Sequence, residues 1–352
     1  MSTLANPYRP TRRPAGDRTF RSGPARLAIF VGSAILAMAA FQVAAETLVV
    51  QDLPGDGTDI SAGADGSIWL VGYDSTDKDR DLYRWTDLGW ERVAGDGFRI
   101  AVDPQGNPWV LEGDGDVKHL EDGVWIEKPG QGTDIAVGAN GDVWMVGWYN
   151  DLLDTDRDPE NRDVFRWSGS AWEEVDGGAV RIAVAPDGTP WILNDDGRLR
   201  QRVNGEWVAV DGRATDIGIG ADGTVWLTEL TDDWGEDGKL ARLAGTNWIS
   251  QTRSSAAVTV DPAGMPWFTM GDGDVYRGLG YEGRLSTPVV QPGQVELSLF
   301  TATGASCVVQ VRRDLALPWT ELQRVTGIGN LITVTDTPPA EAQTSFYGVL
   351  IE

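Results

Sequence analysis

RIAVAPDGTPWIL, residues Arg181–Leu193, decides the fold, because close copies of it bring the total to six. The others are DISAGADGSIWLV from Asp59, RIAVDPQGNPWVL from Arg99, DIAVGANGDVWMV from Asp134, DIGIGADGTVWLT from Asp216 and AVTVDPAGMPWFT from Ala257. Each copy has alternating apolar residues, a turn, then an apolar run centred on Trp, which is the pattern of a β-hairpin. Ala-Asp-Gly, Ala-Asn-Gly and Pro-Asp-Gly suit a tight connection, since Gly accepts positive φ and Asp or Asn tolerates it. Hairpins recurring about every 40 residues indicate a repeat architecture.

Working outward, each unit reads as four strands. In the first unit they are expected at Asp59–Gly63, Ile68–Gly72, Leu82–Trp85 and Trp90–Val93. The sixth unit has AVTVD, PWFTM and DVYRG but lacks the fourth, Trp-bearing strand. Leu48–Asp52 (LVVQD) precedes the first hairpin just as WERVAG precedes the second. The reading is therefore all-β: a six-bladed β-propeller over 46–284, closed by its N-terminal strand. Closure pairs the first blade with the last and leaves no exposed join for another chain to pair with.

The run RIAVDPQGNPWVL, followed by a Trp strand and then TDIAVGANGDVWMVG, resembles the tectonin repeat. The resemblance covers about residues 46–284 and implies a six-bladed propeller that binds carbohydrate or microbial surface glycans, as in tectonins and fish-egg lectins. Residues 285–352 differ. They hold VELSLF, CVVQVRR, WTELQRV and LITVTD, short alternating strands expected to form a small β-sandwich-like domain. The segment from Cys307 to Tyr347 resembles C-terminal β domains of secreted bacterial proteins. A core of this size is marginal alone, so docking on the propeller is expected.

Residues 1–26 are polar and basic, and an apolar run from Leu27 to Val43 ends in Val43-Ala44-Ala45. Small residues there fit signal-peptidase cleavage after Ala45, which makes 1–45 a signal peptide and the mature chain exported, to the periplasm or beyond the cell. The other reading is a retained anchor, for which the run is short and weakly apolar. With cleavage, no integral membrane span is expected.

The formal charge is −24 at pH 7, and the first 45 residues carry six Arg against one Asp, so the remainder is more acidic still. That argues against nucleic acid and anionic lipid as partners, since both reward Lys and Arg. Cys307 is the only cysteine and His119 the only histidine, so the chain can form no internal disulfide and no multi-His metal site. Nothing resembles a nucleophile with its base, and no enzymatic activity is expected.

The second-strand Trp69, Trp109, Trp144, Trp191, Trp226 and Trp267 lie mid-strand in every unit, where bulky residues fill the wedge between sheets. They are read as packing. Strand one opens with Asp59, Arg99, Asp134, Arg181, Asp216 and then Ala257, an alternation that predicts a ring of ion pairs around the channel with one gap. A structural ladder fixing register is the plainer reading of that ring, and a small-molecule site beside Ala257 the functional one.

The loops between strands two and three are short in the even units and long and acidic in the odd ones: Tyr73–Asp81, Trp148–Asp163 and Glu229–Gly238. Together with the four-to-one connections they should build one loop-rich face. Tyr73, Asp74, Trp148, Tyr149, Asp151, Asp233 and Trp234 combine aromatic faces with carboxylates, the pairing a sugar site uses, so they are the candidate ligand residues. Asp77, Asp79 and Asp81, with Asp154, Asp156 and Asp158, place Asp at alternate positions, a spacing that can gather oxygens around Ca²⁺. The alternative is a solvated, self-paired loop, because Lys78, Arg80 and Arg157 stand among the Asp residues. The partner expected is a glycan or glycoconjugate; a protein-interaction scaffold is the rival reading.

Overall fold

The computed structural model describes residues 29–31, 47–73, 80–148, 162–231, 237–281, 284–285, 288–301, 306–314, 316–327, 331–339 and 344–351. Every regular element among them is a β-strand, as the alternation and turn chemistry require. No helix among them is long and apolar enough to cross a membrane.

Each hairpin of the repeat closes antiparallel with the Trp of its second strand opposite the penultimate residue of the first, as in Ala183 with Trp191 and Ala101 with Trp109. Arg198–Val203 then pairs with Pro190–Leu193, and Glu206–Ile219 with Arg198–Val203, which makes the four-stranded unit. The strand Leu48–Ala62 runs fifteen residues. Its first half pairs with Asp274–Tyr281 and its second half with Ile68–Gly72. The first strand of the repeat region thus completes the sheet of the last unit.

One expectation changes. The fourth strand does not loop into the next unit: Leu48–Ala62, Val124–Val137 and Glu206–Ile219 each run unbroken from one unit into the next. Register shifts at Leu53/Asp56, Asp116/Val117 and Arg198/Leu199 mark where the strand turns between sheets. A bulge inserts a residue and sharpens twist, so the chain bends without leaving the strand.

The wedge between units is filled as the Trp pattern predicts. The six second-strand Trp are 0–8 % exposed. Burying an indole removes about 150–250 Å² from water, worth about 4–6 kcal/mol each. Fourth-strand Trp add a contact that the sequence alone did not suggest. Trp125, Trp172, Trp207 and Trp248 donate Nε1–H to the carbonyls of Ala94, Pro129, Asp176 and Asp211 in the preceding unit, at 2.5–2.7 Å. The residue after each carbonyl is a positive-φ glycine lying directly under the indole. Gly55, in the N-terminal strand, lies under Trp90 in the same way.

Residues 285–351 form two further sheets. One orders Ile29–Val31, Ser345–Ile351, Ser306–Arg312 and Thr320–Thr326; the other contains Val289–Gln291, Gln294–Phe300 and Leu331–Asp336. Ile29–Val31, from the segment expected to be a signal peptide, thus lies antiparallel on the last strand. The two sheets enclose one apolar cluster that includes Leu297, Leu299, Cys307, Val309, Val334 and Tyr347. Asp336 joins them: Arg313 binds it through both guanidinium arms, at 2.6 and 2.7 Å, and Tyr347 donates its hydroxyl at 2.6 Å. Burial acts to raise the Asp336 carboxyl, but these partners outweigh it and hold it below the usual range. Burial and the Asp336 charge push Tyr347 up to about 12.

The indole–glycine contact gives a comparison between two positive-φ sites. At Gly177 (φ +127°) an added Cβ would strike the Trp207 indole, whereas at Gly141 (φ +89°) it would meet open space. Gly177→Ala should lose about 2–4 kcal/mol and Gly141→Ala only about 1 kcal/mol, since the second carries backbone strain alone. Denaturant midpoints for the two variants check this.

Candidate functional site

The inner strands converge on a cavity of about 80 Å³ lined by residues from all six hairpins. Its wall is mostly small aliphatic side chains from Ile60 to Thr259, and its polar atoms come from Asp59, Ser61, Asp134, Asp216 and Thr259. Ile60, Ile100, Ile135 and Ile182 pack in the cores between units, and one position earlier Asp59, Asp134 and Asp216 line the cavity.

The charged residues do meet there. Arg99 lies 3.5 Å from Asp59 and 3.7 Å from Asp134, and Arg181 lies 3.6 Å from Asp216. Their side chains are only 10–28 % exposed. Each Asp has a second task. Asp59 accepts the N–H of Ile100, Asp134 that of Ile182 and Asp216 that of Val258, at 2.7–2.8 Å. Every odd unit therefore ties down the inner strand of the unit after it. Ser61 accepts Val102 N–H at 3.1 Å, and Thr259 accepts Ala62 N–H at 3.0 Å, which links the last hairpin to the first. The hydroxyl bonds were invisible in the alternation of charges.

With all five groups ionised, three carboxylates face two guanidiniums, leaving one negative charge in excess. Burial raises Asp59 and Asp134 above the ordinary carboxylate range even with Arg99 and Arg181 opposing it. Asp216 is pushed up to about 7, by burial first and then by Asp59 and Asp134, against the pull of Arg181. Arg181 is itself pushed down by burial and by Arg99.

Of the candidate ligand residues, Tyr73 and Trp148 are described; Asp74, Tyr149, Asp151, Asp233 and Trp234 lie outside the described residues. So do Asp77, Asp79, Asp154, Asp156 and Asp158, while Asp81 is paired with Arg92. Tyr73 is 46 % exposed. Its backbone N–H donates to Asp56, as Trp148 does to Gln131 and Leu230 to Arg213, at 3.0–3.1 Å. The three side chains rest on Gly273, Gly115 and Gly197, each in the short two-to-three turn of the preceding even unit. Two aromatics chosen for sugar stacking thus belong to a three-membered set of clamps. Leu230 carries no polar or aromatic signal in the sequence, and only its place over Gly197 reveals its part in the set.

Two polar groups in the second unit complete the inventory. Glu112, Asp114 and Asp116 bring carboxylate oxygens within 4.8 Å of one another on a short turn that the loop-length reading passed over. Lys118 binds Glu112, Gln131 binds Asp116, and Asp114 accepts the Asp116 N–H, so these oxygens are largely engaged. His119 stacks on Trp109 at 4.3 Å, with Asp103 at 3.2 Å from Nε2 and Glu121 at 3.0 Å from Nδ1. It is held as a packed, paired side chain.

The ring yields two stability measurements. Asp216 is raised above its unfolded value of about 3.9, so between about pH 4 and 7 the native state holds a proton that the unfolded chain has released. Its contribution is complete below pH 4 and is lost as pH rises through 7. Thermal denaturation should give a lower Tm at pH 8 than at pH 6, and Asp216→Asn should shrink that difference. Arg181→Ala leaves Asp134 and Asp216 without the cation between them, so Tm should fall by several degrees at pH 8; an unchanged Tm would remove the ring from the account of stability.

Residues 150–234 match the model of the tectonin domain. No curated protein matches the chain. Among solved structures, the chain is similar to YCF48 bound to D1 peptide, at 14 % identity and a TM-score of 0.42, covering 69 % of this chain and 97 % of that one. It is also similar to the WD40 beta propeller domain of Doa1, at 13 % identity and 0.45, covering 66 % and 96 %. The extracellular domain of the putative one component system BT4673 from B. thetaiotaomicron gives 11 % identity and 0.42, with 87 % of this chain and 58 % of that chain covered. The tectonin match thus lies inside a run of hairpins that repeats from Asp59 to Thr269.

Proposed function

We propose that this protein is an exported, non-enzymatic propeller of six blades, closed into a ring by Leu48–Ala62, that binds glycans through the face carrying its long loops. Support for closure is the pairing of that strand with Asp274–Tyr281 and the Ala62–Thr259 bond. The observation that carries the binding reading is the half-exposed ring of Tyr73 on the face where Asp59, Asp134 and Asp216 begin the inner strands. An aromatic face beside acceptor oxygens suits a polyhydroxylated, uncharged ligand: the ring covers C–H surface and the carboxylates accept from hydroxyls. The sequences that follow Tyr73 and Trp148 are rich in Asp, and Ca²⁺ is the cofactor they would recruit. The non-enzymatic reading rests on the packing of His119, the only histidine, against Trp109. Export rests on the apolar run ending at Ala45, and the division into 46–284 and 285–352 on the separate apolar cluster of the C-terminal sheets.

A protein-interaction scaffold is the second reading. Val124, Ile126, Val203 and Val208, on the outer strands of the second and fourth units, are exposed aliphatics of the kind that line protein contacts. A glycan array probed with and without chelator separates the two. Binding lost in Tyr73→Ala supports the glycan reading, and binding lost in chelator adds Ca²⁺ to it. No signal in either condition, with a protein captured in a pull-down that Val124→Asp abolishes, replaces it with the scaffold.

A further inference from the structure

The channel ring is a repeated device with one member changed. Arg99, Arg181 and Ala257 occupy the same place in three hairpins, opposite Leu111, Leu193 and Thr269 at the start of the inner strand. At the first two, a guanidinium enters the ring of Asp side chains. At the third, the side chain is a methyl. The strand Ala257–Val260 is nevertheless bonded on both sides as its counterparts are, to Asp216 through Val258 N–H and to the first hairpin through Thr259 and Ala62. Asp216 and Asp59 thus begin the strands that flank a slot equivalent to those Arg99 and Arg181 fill.

Charge and space agree about what is missing. The five described members of the ring carry one negative charge in excess, and a sixth cationic member would cancel it. The channel cavity that all six hairpins share, with Asp59, Asp134, Asp216, Val258 and Thr259 in its wall next to Ala257 in sequence or across the channel, measures about 80 Å³. Water takes about 30 Å³ per molecule, so that volume holds two or three waters or one small planar headgroup. Uncompensated buried charge is costly, and a guanidinium suits carboxylates because its planar fork presents several donors at once and is weakly hydrated. Both cations that the ring already holds are of this type.

We propose that the slot beside Ala257 receives the guanidinium of an arginine side chain from a partner peptide, in the place that Arg99 and Arg181 occupy in the earlier hairpins. The inference does not depend on glycan binding at the loops. The groups facing the slot are Asp216, Asp59 and Asp134, with Arg181 and Arg99 beyond them; Thr259 adds a hydroxyl. When the slot is empty, Asp216 can instead hold a proton, so occupancy should strengthen from pH 6 to pH 8.

The test is calorimetric titration of the full chain at pH 8 with acetyl-Gly-Arg-Gly-amide, accompanied by thermal shift. The same peptide with citrulline, which keeps the shape and loses the charge, is the first control. Potassium chloride at matched ionic strength and glucosamine separate screening and an amino sugar from a peptide guanidinium. The expected result is saturable one-to-one binding of the arginine peptide and a raised Tm. Asp216→Asn should weaken binding at least tenfold. Ala257→Arg should abolish it and raise Tm without any ligand, because the chain then supplies its own sixth member. Equal effects from citrulline peptide, potassium chloride or glucosamine overturn the proposal, as does undiminished binding to Ala257→Arg. Should one variant fail to fold, the other still decides, since one removes the acceptor and the other fills the slot.

Discussion

The fit of an indole onto the glycine of the preceding unit is the contact on which the rest of the architecture depends. Each repeat sheet is too narrow to enclose a core of its own, so its apolar face must be covered by the next sheet. Second-strand Trp fill that wedge, and fourth-strand Trp lock its outer edge by donating to a carbonyl just before a positive-φ glycine. No Cβ stands between the indole and the backbone, which lets the two sheets approach closely. Gly55 lies under the Trp90 ring as the other glycines lie under theirs, so the N-terminal strand shares the close approach, although Trp90 Nε1 makes no such bond.

Beside this, the charged ring plays a different part. Buried ion pairs roughly break even against desolvation, whereas each buried indole contributes several kcal/mol. Packing therefore holds the sheets together, and the ring sets which residue faces which. Asp59, Asp134 and Asp216 each combine a nearby guanidinium with a backbone N–H of the next inner strand, so sliding one unit past another would break both bonds at once. The odd number of carboxylates then makes the ring responsive to protons or to a cation.

Much of the molecule follows a two-unit period. The inner-strand charges alternate, unbroken strands join every second pair of units, and Tyr73, Trp148 and Leu230 clamp alternate turns. On the opposite side, the turn carboxylates Asp65, Asp142 and Asp222 lie against Gly106, Gly188 and Gly264 of the following unit. Long loops occur only where a clamp residue precedes them. The same side chain thus stands at the base of each long loop and covers the neighbouring turn.

By itself the sequence determined the hairpins, the all-β class, the permuted strand and the burial of Trp69 and its counterparts, because alternation, turn residues and spacing are local properties of the chain. It also located the Asp and Arg of the ring, since their alternation is visible once the copies are aligned. Only the tertiary structure decided what those residues do. That Asp59 also binds Ile100, that Thr259 receives Ala62, and that Tyr73 rests on Gly273 are contacts between residues 40 to 200 positions apart. Such contacts follow from how neighbouring sheets stack, and Leu230 shows the consequence: its role comes from its place over Gly197, which its residue type does not reveal. The raised Asp216 carboxyl has the same origin, since burial and the convergence of three carboxylates on one channel exist only after the inner strands come together.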